Sequence, residues 1–96
     1  MHATMRYYSG SATKELADLA QRDHSKLEAM MRKAPNFVSY TLLRLPDAVV
    51  SITVCKDKAG TDESAKLAAA WVKEAGGHLK VNSPMVSEGT VIVHAK

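Results

Sequence analysis

Arg6 and Tyr8 stand two residues apart in the run His2-Ala3-Thr4-Met5-Arg6-Tyr7-Tyr8-Ser9. Its alternation and its Thr and Tyr content predict a strand that stops at Gly10. Alternation sends both side chains to one face, where a guanidinium and a phenol could hold an anionic or carbonyl oxygen. A buried cation there needs a partner, either a carboxylate across an interface or an oxygen-bearing ligand. In the run Ala48–Lys56 the same alternation puts the hydroxyls of Ser51 and Thr53 together. Trp71 falls at the centre of the apolar face of a later helix, as core or as the wall of a pocket. His94 belongs to a last strand read at Thr90–Ala95 and shares its polar side. The candidate ligand-contacting set is thus Arg6, Tyr8, Ser51, Thr53, Trp71 and His94. Its one chemical service without a cofactor would be to polarise a quinone or phenolate oxygen. No residue of this set is assigned a catalytic role.

Other chemistries fit the sequence poorly. Asp23-His24-Ser25 is not a catalytic triad, since consecutive helical residues point about 100° apart and cannot converge. Asp23 instead reads as the partner of a nearby basic residue. His2, His24, His78 and His94 lack metal-ligand spacing, so no metal site is expected. Cys55, the single cysteine, reads as a small buried hydrophobe in a strand and asks nothing of an oxidising compartment. Gly76-Gly77 closes a helix rather than opening one, so it is no phosphate loop. No cofactor is expected.

The elements that must position these residues follow from pattern. After a Gly10–Thr13 turn, Leu16, Leu19, Ala20, Leu27, Met30 and Met31 trace one helical stripe that runs to about Lys33 and stops at Pro35. Asn36–Leu45 and Ala48–Lys56 read as two strands joined by Pro46-Asp47, hence an antiparallel hairpin. A second helix, capped by Thr61, carries Leu67, Ala68, Trp71 and Val72 to the Gly76-Gly77 stop. With the last strand, the order is β-α-β-β-α-β, the split βαβ pattern of an α+β, ferredoxin-like fold. The 96 residues are expected to form one domain, 1–96. The net charge of +3 is too small to argue for nucleic acid, and no apolar run is long enough for a membrane span. A cytoplasmic protein is the expectation.

Alternation divides the sheet into two sets. Val50, Ile52 and Val54, with Ala3, Met5 and Tyr7, are expected to lie under the helices. The mixed set of Thr4, Arg6, Tyr8, Ser51, Thr53 and Cys55 would then face away, too apolar for open water and too polar for a dry core. Such a face suits closure against a second copy around a polar pocket, so a homodimer is expected.

The fragments Ala3-Thr4-Met5-Arg6-Tyr7-Tyr8, Arg32-Lys33-Ala34-Pro35-Asn36-Phe37-Val38-Ser39-Tyr40, Val50-Ser51-Ile52-Thr53-Val54 and Leu67-Ala68-Ala69-Ala70-Trp71-Val72 resemble small dimeric α/β-barrel proteins. That superfamily includes the antibiotic-biosynthesis-monooxygenase-like domains. The resemblance implies a four-stranded antiparallel sheet with two helices on one face, a homodimer, and binding of a small aromatic or quinone-like molecule in the barrel pocket by a cofactor-independent monooxygenase. That group is associated with a helix-two Trp and a carboxamide one turn before it; Trp71 matches the first, while Leu67 stands at the second. Haem-degrading relatives pair a first-strand Asn with a helix-two Trp and a following His. Trp71 and His78 are similar, but the first strand has no Asn. A non-catalytic ligand-binding or stress protein on the same fold remains the alternative, with haem binding or degradation a third.

Overall fold

A computed structural model describes residues 1–77, 79 and 81–96. The elements are β1 (His2–Tyr8), α1 (Thr13–Arg22), α2 (His24–Met31), β2 (Phe37–Arg44), β3 (Val49–Cys55), α3 (Lys58–Gly76) and β4 (Met85–Thr90). The four strands form one antiparallel sheet in the order β2-β3-β1-β4. This is the α+β, ferredoxin-like arrangement expected. The β2–β3 hairpin closes at Pro46-Asp47, where Leu45 N–H donates to the Ala48 carbonyl at 2.9 Å.

The expected first helix is two. Asp23 leaves the helical region with φ −99° and ψ 22°, although its N–H still donates to the Leu19 carbonyl at 2.9 Å. Its carboxylate turns to Arg22 at 3.0 Å, which holds that carboxyl below its usual range. Asp23 therefore pairs with a base, as its place in an apolar stripe required. Beyond Pro35, Asn36 takes φ 55°, a left-handed conformation that Asn tolerates better than most residues. Its side-chain amide then donates to Asp57 at 3.1 Å.

Two boundaries differ from expectation. α3 begins at Lys58, three residues before Thr61, because the Asp57 side chain accepts from Gly60 N–H at 2.9 Å and caps the helix instead. The last strand is Met85–Thr90 and not Thr90–Ala95. Its register on β1, from Tyr7↔Met85 to His2↔Thr90, exhausts β1 before the β-branched run begins. Availability of a partner, not propensity, decides which residues become the strand.

The core lies between the helices and one face of the sheet, built on Leu16, Ala20, Leu27, Met31, Trp71, Tyr8 and Val49. Tyr8 and Val49 share that face by register, so Arg6, Thr4, Ser51, Thr53 and Cys55 lie under the helices as well. The expected assignment of the two faces is inverted. The reason is steric. The start of α3 lies close against the end of β3, where a Cβ on Gly60 would collide with the Pro35 carbonyl and Cys55, and the small Cys55 side chain leaves room for that approach. The β-branched set of Val50, Ile52 and Val54 turns outward instead.

Candidate functional site

Arg6 is only 8% exposed and reaches from β1 into the seam between sheet and α3. Its Nε donates to Tyr8 Oη at 2.9 Å and its Nη1 donates to the Ala65 carbonyl at 3.0 Å. The guanidinium carbon also sits 5.6 Å from the centroid of the Tyr8 ring. Among the described residues no carboxylate forms an ion pair with it, so its compensation comes from neutral oxygens and an aromatic face. Tyr40, opposite Thr53 on β2, completes the cluster. Burial pushes its phenol up to about 12, with Tyr8 adding to the rise and Arg6 opposing it.

Two cavities adjoin this cluster. An inner one of about 20 Å³ lies among Tyr8, Tyr40, Trp71, Leu16, Leu42 and Val49. An outer cleft of about 520 Å³ runs between α1–α2 and β2, with Gln21, His24 and Glu28 on one wall and Phe37, Leu42 and Arg44 on the other. Ala20, Leu27, Tyr40, Leu42 and Val49 line both, so the outer cleft and the aromatic interior share a wall. The charges at the rim are engaged with neighbours: Arg44 with Asp18 and Gln21, each at 2.9 Å, and Arg32 with Glu28 at 3.1 Å. Two buried polar atoms, Trp71 Nε1 and Ser51 Oγ, have no hydrogen-bond partner among the described residues.

The sequence-derived set is thus partly assembled. Arg6, Tyr8, Ser51 and Thr53 share one face, with Arg6 opposite Ser51, but that face meets the helices rather than the outside of the sheet. Of these only Tyr8 lines a cavity, joined there by Trp71. Arg6 acts behind Tyr8, while Ser51 and Thr53 are packed away. His94 lies past the end of β4 and lines neither cavity. His78 falls outside the described residues. Tyr40, His24 and Arg44 escaped sequence reasoning; for Tyr40, its alternation with Leu42 along β2 was the available signal. Among the described residues, no three His, Cys, Asp or Glu side chains cluster to hold a metal ion, and no helix is long and apolar enough to cross a membrane.

Solved structures share this ferredoxin-like fold, an antibiotic biosynthesis monooxygenase among them. The chain is similar to the monooxygenase ActVA-Orf6 of Streptomyces coelicolor, solved in complex with Nanaomycin D, with 17% identity, a TM-score of 0.70, and 99% of this chain and 90% of that one covered. It is similar to SnoaB, a cofactor-independent oxygenase from Streptomyces nogalater, with 16% identity, a TM-score of 0.65, and 97% and 94% covered. A dimeric ferredoxin-like protein from an uncultured marine organism matches with 9% identity, a TM-score of 0.71, and 99% and 97% covered. No protein-family model and no curated protein matches the chain.

Proposed function

We propose that the chain binds a small phenolic or quinone-like aromatic molecule in the cleft between the helices and β2, and oxygenates it without a bound metal or flavin, as a cytoplasmic homodimer. The observation that carries this reading is a cleft of about 520 Å³ that shares a wall with an aromatic interior whose Trp71 indole N–H is buried and unpartnered among the described residues. That volume suits a small-molecule ligand. Tyr8, Tyr40 and Trp71 offer ring faces for stacking, and the indole N–H offers a donor for a ligand oxygen. Because Arg6 donates to Tyr8 Oη, the phenol keeps its own proton to donate, and the adjacent cation strengthens that donor. The electron balance needs no cofactor: a phenol plus dioxygen yields a quinone plus water, the substrate supplying the electrons. Likeness to ActVA-Orf6 and SnoaB supports this general kind of chemistry. Met5, Leu43 and Met85, exposed on the face of the sheet away from the helices, support the homodimer, as does the dimeric neighbour.

A non-catalytic binding protein is the second reading. It is favoured by the bonding of Arg6, whose two hydrogen bonds go to Tyr8 and the Ala65 carbonyl rather than into either cavity. One experiment separates the two. Trp71 is the single tryptophan and lines the inner cavity, so its fluorescence reports the site beside the cleft. Titration with the hydroxynaphthoquinone juglone is expected to give saturable quenching that Ala20→Phe, which crowds the wall the cavities share, weakens by at least about tenfold. Unsaturable quenching, or equal quenching in the variant, removes the cleft as a binding site. Dioxygen uptake with a naphthol above the protein-free rate then supports the oxygenase; saturable binding without uptake selects the second reading.

A further inference from the structure

Oxygenating a phenol without a metal or flavin places one demand on the protein before dioxygen can react. A neutral phenol gives up electrons reluctantly, whereas its phenolate is far more easily oxidised. The ring hydroxyl must therefore lose its proton to a group beside the cleft that accepts one near neutral pH. Five side chains lining the outer cleft carry a titratable group: His24, Glu28, Arg32, Tyr40 and Arg44. The two guanidiniums hold their protons and accept none. Glu28 receives Arg32 Nη2 at 3.1 Å, and a carboxylate in an ion pair is a weak base. Tyr40, pushed up to about 12, stays a proton donor. His24 alone remains as an acceptor among these five.

Its surroundings suit that role. His24 is exposed, opens α2 and lines the cleft between Gln21 and Glu28. Its side-chain contact among the described residues is Nδ1 with the Ser25 hydroxyl at 3.5 Å. In the tautomer that protonates Nδ1, this N–H donates to Ser25 Oγ and leaves the Nε2 lone pair free. The charged groups around it are paired with one another: Asp23 with Arg22, Lys26 with Glu74, Glu28 with Arg32, and Arg44 across the cleft with Asp18. We infer that His24 is the general base of the cleft, its Nε2 taking the hydroxyl proton of a bound phenol and later returning it to the oxygen that leaves as water. This rests on the oxygenase proposed above and names the residue that starts it. With α-naphthol the O–H bond breaks, its electron pair stays on oxygen, and an N–H bond forms on His24. Dioxygen then takes four electrons from the ring. One of its atoms becomes the second oxygen of the para-quinone. The other leaves as water with the hydroxyl proton and the hydrogen of the oxidised ring carbon. Tyr40, on the opposite wall, keeps its proton to donate to a ligand oxygen and does not compete for this one.

The test measures dioxygen uptake with α-naphthol by the full chain and by His24→Gln, from about pH 5 to about pH 10. Binding of α-naphthol is followed beside it through Trp71 fluorescence. Because His24 is exposed, the variant is expected to keep its melting profile and to bind α-naphthol within about twofold of the full chain. Its kcat for uptake should fall about a hundredfold at neutral pH, with KM nearly unchanged. The rate of the full chain should drop on acidification as the imidazole takes up a proton, and that limb should vanish in the variant. The deficit of the variant should shrink as pH approaches about 10, where a phenol ionises unaided. Equal uptake by the two proteins, or a loss confined to KM, overturns the base and leaves the oxygenase standing. A full chain that consumes no dioxygen above the protein-free rate overturns both.

Discussion

Beneath its helices the sheet presents Thr4, Arg6, Tyr8, Ser51 and Thr53; on its other face it presents Ala3, Met5, Val50, Ile52 and Val54. The first face is rich in polar atoms and thoroughly covered. The second is richer in aliphatic side chains, although Tyr7, Ser39, Thr41 and Ser87 share it by register, and it lies away from the helices. A single chain in water would be expected to do the reverse, placing aliphatics under the helices and hydroxyls outside. The difference fits the proposed dimer, in which both faces would be buried, by different means. The covered face holds polar groups because the fold supplies partners there, as with the two bonds of Arg6 to Tyr8 and Ala65. The open face carries no charged side chain among the described residues, and its polar groups, Tyr7, Ser39, Thr41 and Ser87, are neutral. Charged and hydrogen-bonded groups therefore collect in the helix seam, and the proposed dimer would form on the other side.

The sharpest way to break this comparison uses two adjacent residues. Thr53→Lys places an unpaired ammonium in the seam, and the chain is expected not to fold, because burying an unpaired charge costs more than about 4–5 kcal/mol. Ile52→Lys points the same group to the open face and should give a folded chain in which the proposed dimer no longer forms. Circular dichroism and sedimentation of the two variants check the pair. Folded Thr53→Lys beside unfolded Ile52→Lys would restore the original assignment of the faces.

An intermediate effect concerns Tyr40, on the covered side. Burial raises its phenol to about 12, above the usual 10.0. A raised value means that the folded state favours the protonated phenol. The stability this contributes is fully present below pH 10 and is lost as pH rises toward 12. Ultraviolet titration of tyrosinate should show a late-ionising step that Tyr40→Phe removes. Since Arg6 opposes the rise, Arg6→Met should move the step later still. A step at the ordinary tyrosine position would mean that Tyr40 faces water.

Much of this fold was readable from periodicity, because strands and helices announce themselves by local spacing. β1, the β2–β3 hairpin and the Pro35 stop all emerged within a residue or two of their observed ends. What alternation could not supply was a direction: it sorts β3 into Val50-Ile52-Val54 and Ser51-Thr53-Cys55 without saying which set meets the helices. The usual rule, apolar side inward, assumes only one face is covered. Here the small polar set admits the closely packed α3, and that depends on Gly60 against Cys55, a contact between elements. The last strand was misplaced for a related reason. Residues 90–95 have the stronger propensity, but register with β1 gave the strand to Met85–Thr90. For the site, Arg6, Tyr8 and Trp71 were legible as residues. Tyr40 was not, because it becomes part of the cluster only once β2 is registered against β3.

The smallest effect tests how the covered face treats polar atoms that no partner reaches. Ser51 Oγ is buried and has no hydrogen-bond partner among the described residues, although the neighbouring Thr61 and Ser64 hydroxyls donate to carbonyls of α3 at 2.9 and 2.6 Å. An unsatisfied buried hydroxyl costs about 1–3 kcal/mol relative to one left in water. Ser51→Ala removes the oxygen and little volume, so it should leave the melting temperature unchanged or raise it slightly, by the equivalent of up to about 1 kcal/mol. Thr53→Val offers a nearly isosteric comparison at the next position on the same face. If Ser51→Ala destabilises by more than about 1 kcal/mol, the hydroxyl has a partner after all, and the seam is more completely bonded than its geometry indicates. If the substitution stabilises the free chain but weakens juglone binding, the hydroxyl belongs with Trp71 Nε1 as a group held for a ligand. In that case the helix-covered face would carry its unpaired polar atoms for binding, a burden the aliphatic face does not share.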